Sequence, residues 1–249
     1  MNKILVEICC GSADDVIQSY KAGADRVELN TDLFHGGLTA TVGQLKVAKA
    51  ETNNDIPVMA MVRPRQAGFN YTDIEFKTAV EDAKALIRNG ADGLVFGFLN
   101  DDGTINIERT KALREITGNK QAVFHRAIDV VPDWKKALDI LIDLEFTRVL
   151  TSGQESNAFM GAETIREMLE YADGRIEILP GAGIKLKNMD RIIRETGCNQ
   201  IHMSAHSQRC DNSTRNTSGI FYGGALYPPE DSFNMIDADT VRAVTEKLK

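Results

Sequence analysis

Eight short apolar segments, each followed by polar or glycine-rich residues, constrain the fold of this 249-residue chain more than any other feature. In the segment at 122–126, apolar residues give way to His125 and Arg126, and Asp129 follows shortly after. The other seven segments end at Glu7-Ile8-Cys9, Glu28-Leu29-Asn30, Arg63-Pro64-Arg65, Phe96-Gly97, Thr151-Ser152-Gly153, Pro180-Gly181-Ala182-Gly183 and His202-Met203-Ser204. This pattern is typical of a (β/α)8 TIM barrel, whose active sites lie on the loops that follow the strands.

Helix signals alternate with these strand signals along the chain. We predict strands at residues 4–9, 25–30, 57–63, 93–97, 122–126, 147–152, 176–180 and 200–204. We predict helices over about 12–23, 41–51, 71–90, 107–117, 132–144, 162–171, 187–196 and 237–248. Gly23 and Gly90 are each followed by Ala-Asp, and a glycine at such a position can end a helix in the left-handed conformation. Because the length matches one barrel of about 250 residues, we expect a single domain over 1–249.

One connection departs from the regular spacing. Residues 205–236 separate the last strand from the last helix and are rich in Ser, Thr, Asn and Gly. Connections longer than about 12–15 residues in a compact domain are usually functional or disordered. Because this segment leaves from the barrel mouth, we interpret it as an extended loop that acts as a lid or an oligomer arm, with plain disorder as the alternative.

Composition excludes several classes of partner. The formal net charge is −7 and no block of Lys or Arg follows one face, which argues against nucleic acid and against anionic membranes. No apolar run reaches the ~18 residues that a membrane span needs. Met1-Asn2-Lys3 leads directly into a strand-like segment instead of a secretory signal. The four cysteines include the adjacent pair Cys9-Cys10, which suits a reduced, cytoplasmic setting better than a disulfide framework.

Strand parity predicts which side chains face the barrel interior, because alternate residues of a strand point to opposite faces. The fully apolar face of each strand should meet the helices. The inward set is then Glu7 and Cys9 in strand 1, Glu28 and Asn30 in strand 2, Met59, Met61 and Arg63 in strand 3, and His202 and Ser204 in strand 8. In strand 5, parity admits either His125 or Arg126, and we favour His125 inside with Arg126 in the loop layer.

The inward polar residues form a candidate acid–base site. Strands 8, 1, 2 and 3 are neighbours in such a barrel, so their polar side chains should converge. The predicted catalytic residues are Glu7, Glu28, Arg63, His125, Asp129 and His202. We expect Arg63 to balance the two glutamates, since two carboxylates do not both stay ionised at low cost without a cation. The alternative is a buried ion network that only fills the barrel.

Residues that end strands 3, 5, 6, 7 and 8 form a candidate anion site. Loops after strands 7 and 8 often hold phosphate through backbone N–H groups. The predicted ligand-binding residues are Arg65, Arg126, Thr151, Ser152, Gly181, Gly183 and Ser204. The partner would be a small metabolite that bears a phosphate or a carboxylate. The alternative for the glycines is a tight turn, to which they are equally suited.

These motifs together resemble the copper homeostasis family known as CutC. The matching segments are Val6-Glu7-Ile8-Cys9, Gly23-Ala24-Asp25-Arg26-Val27-Glu28-Leu29, Gly36-Gly37-Leu38-Thr39, Val62-Arg63-Pro64-Arg65, Gly68-Phe69-Asn70-Tyr71-Thr72-Asp73, Ala91-Asp92-Gly93-Leu94-Val95-Phe96-Gly97, Phe124-His125-Arg126-Ala127-Ile128-Asp129, Arg148-Val149-Leu150-Thr151-Ser152-Gly153, Gly181-Ala182-Gly183 and His202-Met203-Ser204-Ala205. The resemblance implies a cytoplasmic barrel that forms a homodimer or a higher homo-oligomer, acts in copper tolerance and binds copper.

The resemblance also implies copper ligands at the ends of strands 1 and 2. Cys9 matches the first position, and Asn30 stands at the second, where it is no ligand for the soft Cu(I) ion. Two hypotheses follow. The first is a copper-binding and copper-handling protein with Cys9 as metal ligand. The second is an enzyme that acts on a small anionic metabolite, for which the Cys9 thiolate is not needed.

Overall fold

The computed structural model describes residues 3–216, 219–223, 228 and 230–249. Eight parallel strands form one sheet: β1 Leu5–Cys10, β2 Arg26–Leu29, β3 Val58–Met61, β4 Gly93–Phe96, β5 Gln121–Phe124, β6 Arg148–Thr151, β7 Glu177–Pro180 and β8 Gln200–Met203. The ladder order is β7-β6-β5-β4-β3-β2-β1-β8, and the end strands β7 and β8 pack against each other. The sheet is a nearly closed barrel, so the predicted (β/α)8 fold is confirmed.

Eight helices surround the barrel within the described residues. They are α1 Ala13–Lys21, α2 Val42–Glu51, α3 Asp73–Arg88, α4 Ile107–Thr117, α5 Trp134–Asp143, α6 Ala162–Ala172, α7 Met189–Thr196 and α8 Ala238–Leu248. Side-chain caps fix several of their starts: Ser12 accepts a hydrogen bond from the Asp15 N–H, and Thr41 and Thr72 each form a capping box. The predicted helices are therefore all present, with ends that differ by a few residues.

The apolar core has two layers. The outer layer lies between strands and helices and takes the outward residues that parity assigned, such as Val6, Ile8 and Val27. The inner layer fills the barrel with Met59, Met61, Val95 and Val123. Met59 is fully buried in this layer and therefore packs the core.

A chain of polar side chains also crosses the barrel interior. Arg26 pairs with Glu7, and its Nη2 donates to Gln200 Oε1 at 2.9 Å. Gln200 Nε2 donates to Glu177 Oε2 at 3.2 Å, which links β8 to β7. The same carboxylate accepts from Arg148 Nε at 2.7 Å. Side chains thus join the two end strands of the sheet.

Two strands, β3 and β5, end two residues earlier than the sequence predicts. β5 ends at Phe124, because His125 caps a 3-10 helix over Arg126–Val130 and accepts from the Ala127 N–H. β3 ends at Met61 instead of Arg63, because the Arg63 N–H donates to Thr39 Oγ1 at 3.0 Å. In both cases a local hydrogen bond to a side chain replaces the sheet ladder.

The segment at 205–236 is not simply an extended loop. It contains an antiparallel hairpin, β9 His206–Cys210 with β10 Ser232–Ile236. Asp15 of α1 holds the hairpin base, since its Oδ1 accepts from the Ile236 N–H at 2.7 Å. Residues 217, 218, 224–227 and 229 lie outside the described residues. The role of lid or oligomer arm and the single domain over 1–249 therefore stay predictions.

Among the helices that the structure describes, none combines the length and the apolar character needed to cross a membrane.

Candidate functional site

A cavity opens at the carboxyl ends of the barrel strands. Its volume is about 790 Å³, within the range of about 300–1,000 Å³ usual for pockets that bind small organic molecules. The predicted site residues that line it are Cys9, Glu28, Arg63, His125, Arg126, Gly183, His202 and Ser204. The structure therefore brings together, around one cavity, residues that are far apart in the sequence.

Cys9, Glu28 and His202 form a cluster at one wall of this cavity. Each offers one atom that can bind a metal ion, and these atoms all lie within 4.8 Å of one another. The register of β1 and β2 places Cys9 opposite Glu28, and β8, on the other side of β1, carries His202. Cys9 Sγ is 3.7 Å from Glu28 Oε2. The Glu28 Oε1 atom is buried with no hydrogen bond from any described residue.

Asn30, at the second ligand position that the family resemblance implies, holds the cluster in place instead. Its Nδ2 donates to Glu28 Oε2 at 2.9 Å and lies 3.7 Å from Cys9 Sγ. Cys10 points to the opposite face of β1, where its Sγ is 3.6 Å from Ser19 Oγ in the outer core. Cys9 is therefore the thiol that faces the cavity from this strand.

Glu7 lies behind the cluster and orients it. The Glu7 Oε1 atom is 2.7 Å from His202 Nδ1, so Nε2 is the ring nitrogen that remains free to bind a metal ion. A carboxylate behind a histidine is the usual arrangement in metal sites, because it fixes the ring and makes it a stronger ligand. Arg26 pairs with the other oxygen of Glu7. The expectation that Arg63 balances the carboxylates is corrected here, since the cation on Glu7 is Arg26.

The charges in this wall shift several pKa values. Burial raises the pKa of Glu7, but Arg26 and His202 outweigh it and hold that pKa well below its usual range. Burial raises the pKa of Glu28, and the charge of Glu7 adds to the effect. Burial and then Glu28 raise the pKa of Cys9 well above normal. Burial lowers the pKa of His202, yet Glu28 and Glu7 raise it overall. Without a cation, the cluster therefore favours protonated Cys9 and His202.

His125 and Arg63 form another part of the polar lining. Both side chains are buried, and the Phe69 ring contacts both. Burial and then the charge of Arg63 lower the pKa of His125 to about 3, so the imidazole is neutral. Arg63 donates to the backbone carbonyls of His35, Gly37 and Ala67 at 2.9–3.0 Å. It therefore fixes two loops at the barrel mouth.

Asp129, Thr151 and Ser152 form a hydrogen-bonded group beside the cavity. Asp129 accepts from Thr151 Oγ1 at 2.6 Å, from the Ser152 N–H at 3.0 Å and from Arg126 Nε at 2.8 Å. These bonds occupy its oxygens and hold the loop after β6 against the 3-10 helix. Within the described chain, Asp129, Thr151 and Ser152 are not among the residues that line the cavity, whereas their partner Arg126 is.

The remaining predicted ligand-binding residues lie in different places. Arg65 pairs with Glu75 at 2.7 Å and is not among the residues that line the cavity in the described chain. The Gly181 N–H donates to the Thr151 carbonyl at 2.8 Å, so it continues the sheet and is not available to an anion. Gly183 lines the cavity in the left-handed conformation. Ser204 Oγ lies 2.8 Å from His206 Nδ1.

Sequence reasoning did not single out Arg26, Asp15, His206 or Phe69. Arg26 has the same parity as Glu28, so the inward assignment of β2 contained the signal for it. Asp15 lies in the first turn of α1 as part of a capping sequence, and nothing in that pattern indicates its bond to the distant β10. Phe69 belongs to a loop, where parity gives no information.

The chain matches the family model described as CutC family over residues 4–207. A Treponema denticola protein named family protein CutC is 56% identical over 248 residues, which cover 100% of both chains. The human protein named copper homeostasis protein cutC homolog is 39% identical, across 100% of this chain and 90% of that one.

Solved structures agree with the fold. A CutC protein from Streptococcus agalactiae superimposes with a TM-score of 0.77 at 36% identity and covers 80% of this chain and 98% of that one. QR15, an aldolase, superimposes with a TM-score of 0.61 at 19% identity, which shows the shared barrel alone. Motifs, cavity residues and relatives of nearly equal length agree, and the chain belongs to the CutC family.

Proposed function

We propose that this protein binds a copper ion at Cys9, Glu28 and His202 and acts in copper handling. The observation that carries the proposal is the cluster of three potential ligand atoms within 4.8 Å of one another. Thiolate and imidazole are both suited to copper. The family membership supports the proposal, because relatives carry the name copper homeostasis protein. A cytoplasmic location and a homodimer or higher homo-oligomer are parts of the same proposal.

The surroundings of the cluster favour the binding of a cation there. Glu28 has a buried oxygen with no hydrogen bond from the described residues, and a bound cation would satisfy it. A metal ion would also displace the protons of Cys9 and His202, because metal ligands bind in their deprotonated forms. With one thiol in place of two, we expect a weaker copper site than a two-cysteine pair would give.

The test is a titration of Cu(I) against a competing chelator. We expect one site per chain, with affinity reduced at least about 100-fold in Cys9→Ser, because the soft ligand is lost. Cys210→Ser is the matched control, since Cys210 is exposed and lies outside the cavity lining, and it should retain the site. A tight copper site that survives Cys9→Ser would reject the proposal.

The alternative function is acid–base catalysis on a small anionic metabolite. The observation that favours it is the cavity volume of about 790 Å³, far more than one ion needs. His202, Glu7 and Glu28 would be the proton-transfer groups, since their pKa values are driven apart by their surroundings. A metabolite thermal-shift screen on the parent and on Cys9→Ser separates the two functions, because only the copper function needs the thiol.

A further inference from the structure

The cavity lining has two buried donors that no described residue satisfies. The first belongs to His125, which is 4% exposed. Its Nδ1 accepts a hydrogen bond from the Ala127 N–H at 3.2 Å, so in the neutral ring the proton lies on Nε2. Nε2 is buried and makes no hydrogen bond to the described part of the chain. His125 therefore contributes an N–H donor that lacks an acceptor.

The second donor belongs to Arg63, which is 7% exposed. Its Nη1 and Nη2 atoms bind three backbone carbonyls, which are uncharged. Its Nε is buried with no acceptor among the described residues. The nearby Tyr71 hydroxyl interacts with this charge, which opposes the rise that burial causes in the pKa of Tyr71. It is uncharged, and neither Tyr71 Oη nor Arg63 Nε has a partner of full hydrogen-bond geometry among the described residues. The guanidinium thus has neither a full set of acceptors nor a carboxylate to neutralise it within the described chain.

The two donors belong to one subsite. His125 and Arg63 both line the cavity, and both contact the ring of Phe69, whose centroid is 4.8 Å from the imidazole centroid and 5.5 Å from Arg63 Cζ. Buried donors without acceptors are costly and rare in native proteins, and a buried charge without a partner costs more. A ligand with oxygen acceptors and a negative charge would remove both costs at once.

The rest of the lining limits the charge and the size of that ligand. Asp15, Glu28 and Asp32 also line the cavity and oppose a doubly charged anion such as phosphate. Met61 and Leu150 supply apolar surface for an organic body. We propose that the cavity binds a small organic monocarboxylate, whose two oxygens accept hydrogen bonds from His125 Nε2 and Arg63 Nε while its carbon skeleton packs on Phe69.

This subsite does not require copper at Cys9, and it specifies the ligand class for the alternative enzyme function. The test uses acetate, butyrate and phenylacetate, each compared with its amide, and inorganic phosphate. Binding to the full-length protein is measured by calorimetry and by the shift in Tm. We expect saturable binding of at least one carboxylate, at least about tenfold tighter than its amide, because the amide lacks the charge that Arg63 attracts.

Variants connect the binding to the two donors. His125→Asn keeps a cap for the 3-10 helix, since asparagine is a good capping residue, but the shorter side chain cannot place a donor at the Nε2 position. It should weaken carboxylate binding at least about tenfold. Arg63→Met should abolish it; if that variant does not fold, His125→Asn decides. Binding is measured on copper-free protein, so a failure of the copper function leaves this result unchanged. Cys210→Ser, at an exposed position outside the cavity lining, should bind as the parent does.

Four outcomes would overturn the proposal: no carboxylate binds, amides bind equally well, phosphate binds more tightly than every carboxylate, or His125→Asn binds as the parent does.

Discussion

At the scale of single residues, the two glutamates of the barrel mouth have opposite surroundings. Glu7 is held between Arg26 and His202, so its negative charge is compensated. Glu28 accepts from Asn30 and the Cys9 thiol, and burial and Glu7 raise its pKa. The same residue type is therefore stabilising at one position and costly at the other. A cost in stability at a position that faces a cavity is typical of functional residues.

Glu28→Gln and Glu7→Gln test this difference directly. Glu28→Gln should leave the free energy of unfolding unchanged or raise it, because it removes a like charge next to Glu7. It should also abolish the copper response. Glu7→Gln leaves the buried Arg26 without its carboxylate and should cost about 3–5 kcal/mol. Urea unfolding of both variants, with and without Cu(I), gives the comparison. A clear loss of stability in Glu28→Gln with an unchanged copper response would make this residue structural.

Parity placed Glu7, Cys9, Glu28 and His202 inside the barrel, because that inference needs only the alternation of a strand. It could not choose between Arg26 and Arg63 as the cation for Glu7. That choice depends on height along the barrel axis, which is set by strand register. Glu7 is directly opposite Arg26 in the β1–β2 ladder, and a single sequence does not reveal which residues of two strands are paired.

At the scale of elements, the hairpin β9–β10 is attached to the barrel through one buried carboxylate. Asp15 accepts from the Gly11 N–H at 2.9 Å and from the Ile236 N–H at 2.7 Å. It therefore ties the loop after β1 and the hairpin base to α1. The sequence indicated an unusual connection at 205–236 but not a hairpin, since its polar, turn-rich composition lacks the alternation typical of strands.

Asp15→Ala should release the hairpin while the barrel stays folded. One buried N–H group, of Ile236, and one partly buried N–H group, of Gly11, lose their acceptor. We therefore expect a loss of about 1–3 kcal/mol and faster proteolysis within 206–236. Asp14→Ala is the matched control, because Asp14 is the exposed neighbour in the same helical turn. Limited proteolysis with mass spectrometry locates the cleavage sites. Equal cleavage of the two variants in this segment would show that Asp15 is not the anchor.

At the scale of the whole molecule, the barrel depends on polar side chains as well as on its ladder. The bonds from Glu177 to Gln200 and Arg148 connect β7 with β8 and β6. Arg148 is buried and Glu177 is about half exposed. The fold class followed from the repeated strand and helix pattern alone. The side-chain bonds that join β7 to β8 and β6 could not be predicted in this way, because they connect residues near the strand starts that are far apart in the sequence.

Glu177→Ala should therefore weaken the barrel more than the loss of a surface ion pair does. It leaves the buried Arg148 guanidinium without its carboxylate, and because Glu177 is partly exposed we expect a loss of only about 1–3 kcal/mol. Glu195→Ala, which removes an exposed pair with Arg191, should cost at most about 1 kcal/mol. Chemical denaturation of both variants measures the difference. Equal losses would show that the Glu177 bonds do not contribute to closure.

The pairing of β1 with β8 has a consequence for the order in which the site forms during synthesis. Glu7, Cys9 and Glu28 leave the ribosome early, whereas His202 follows Glu7 by 195 residues. A nascent chain can join β1 to β2 long before β8 exists, and it then exposes a thiol and two carboxylates without their histidine. The proposed metal cluster therefore becomes complete only when the last barrel strand docks, so capture of an ion there would report that the barrel strands have assembled.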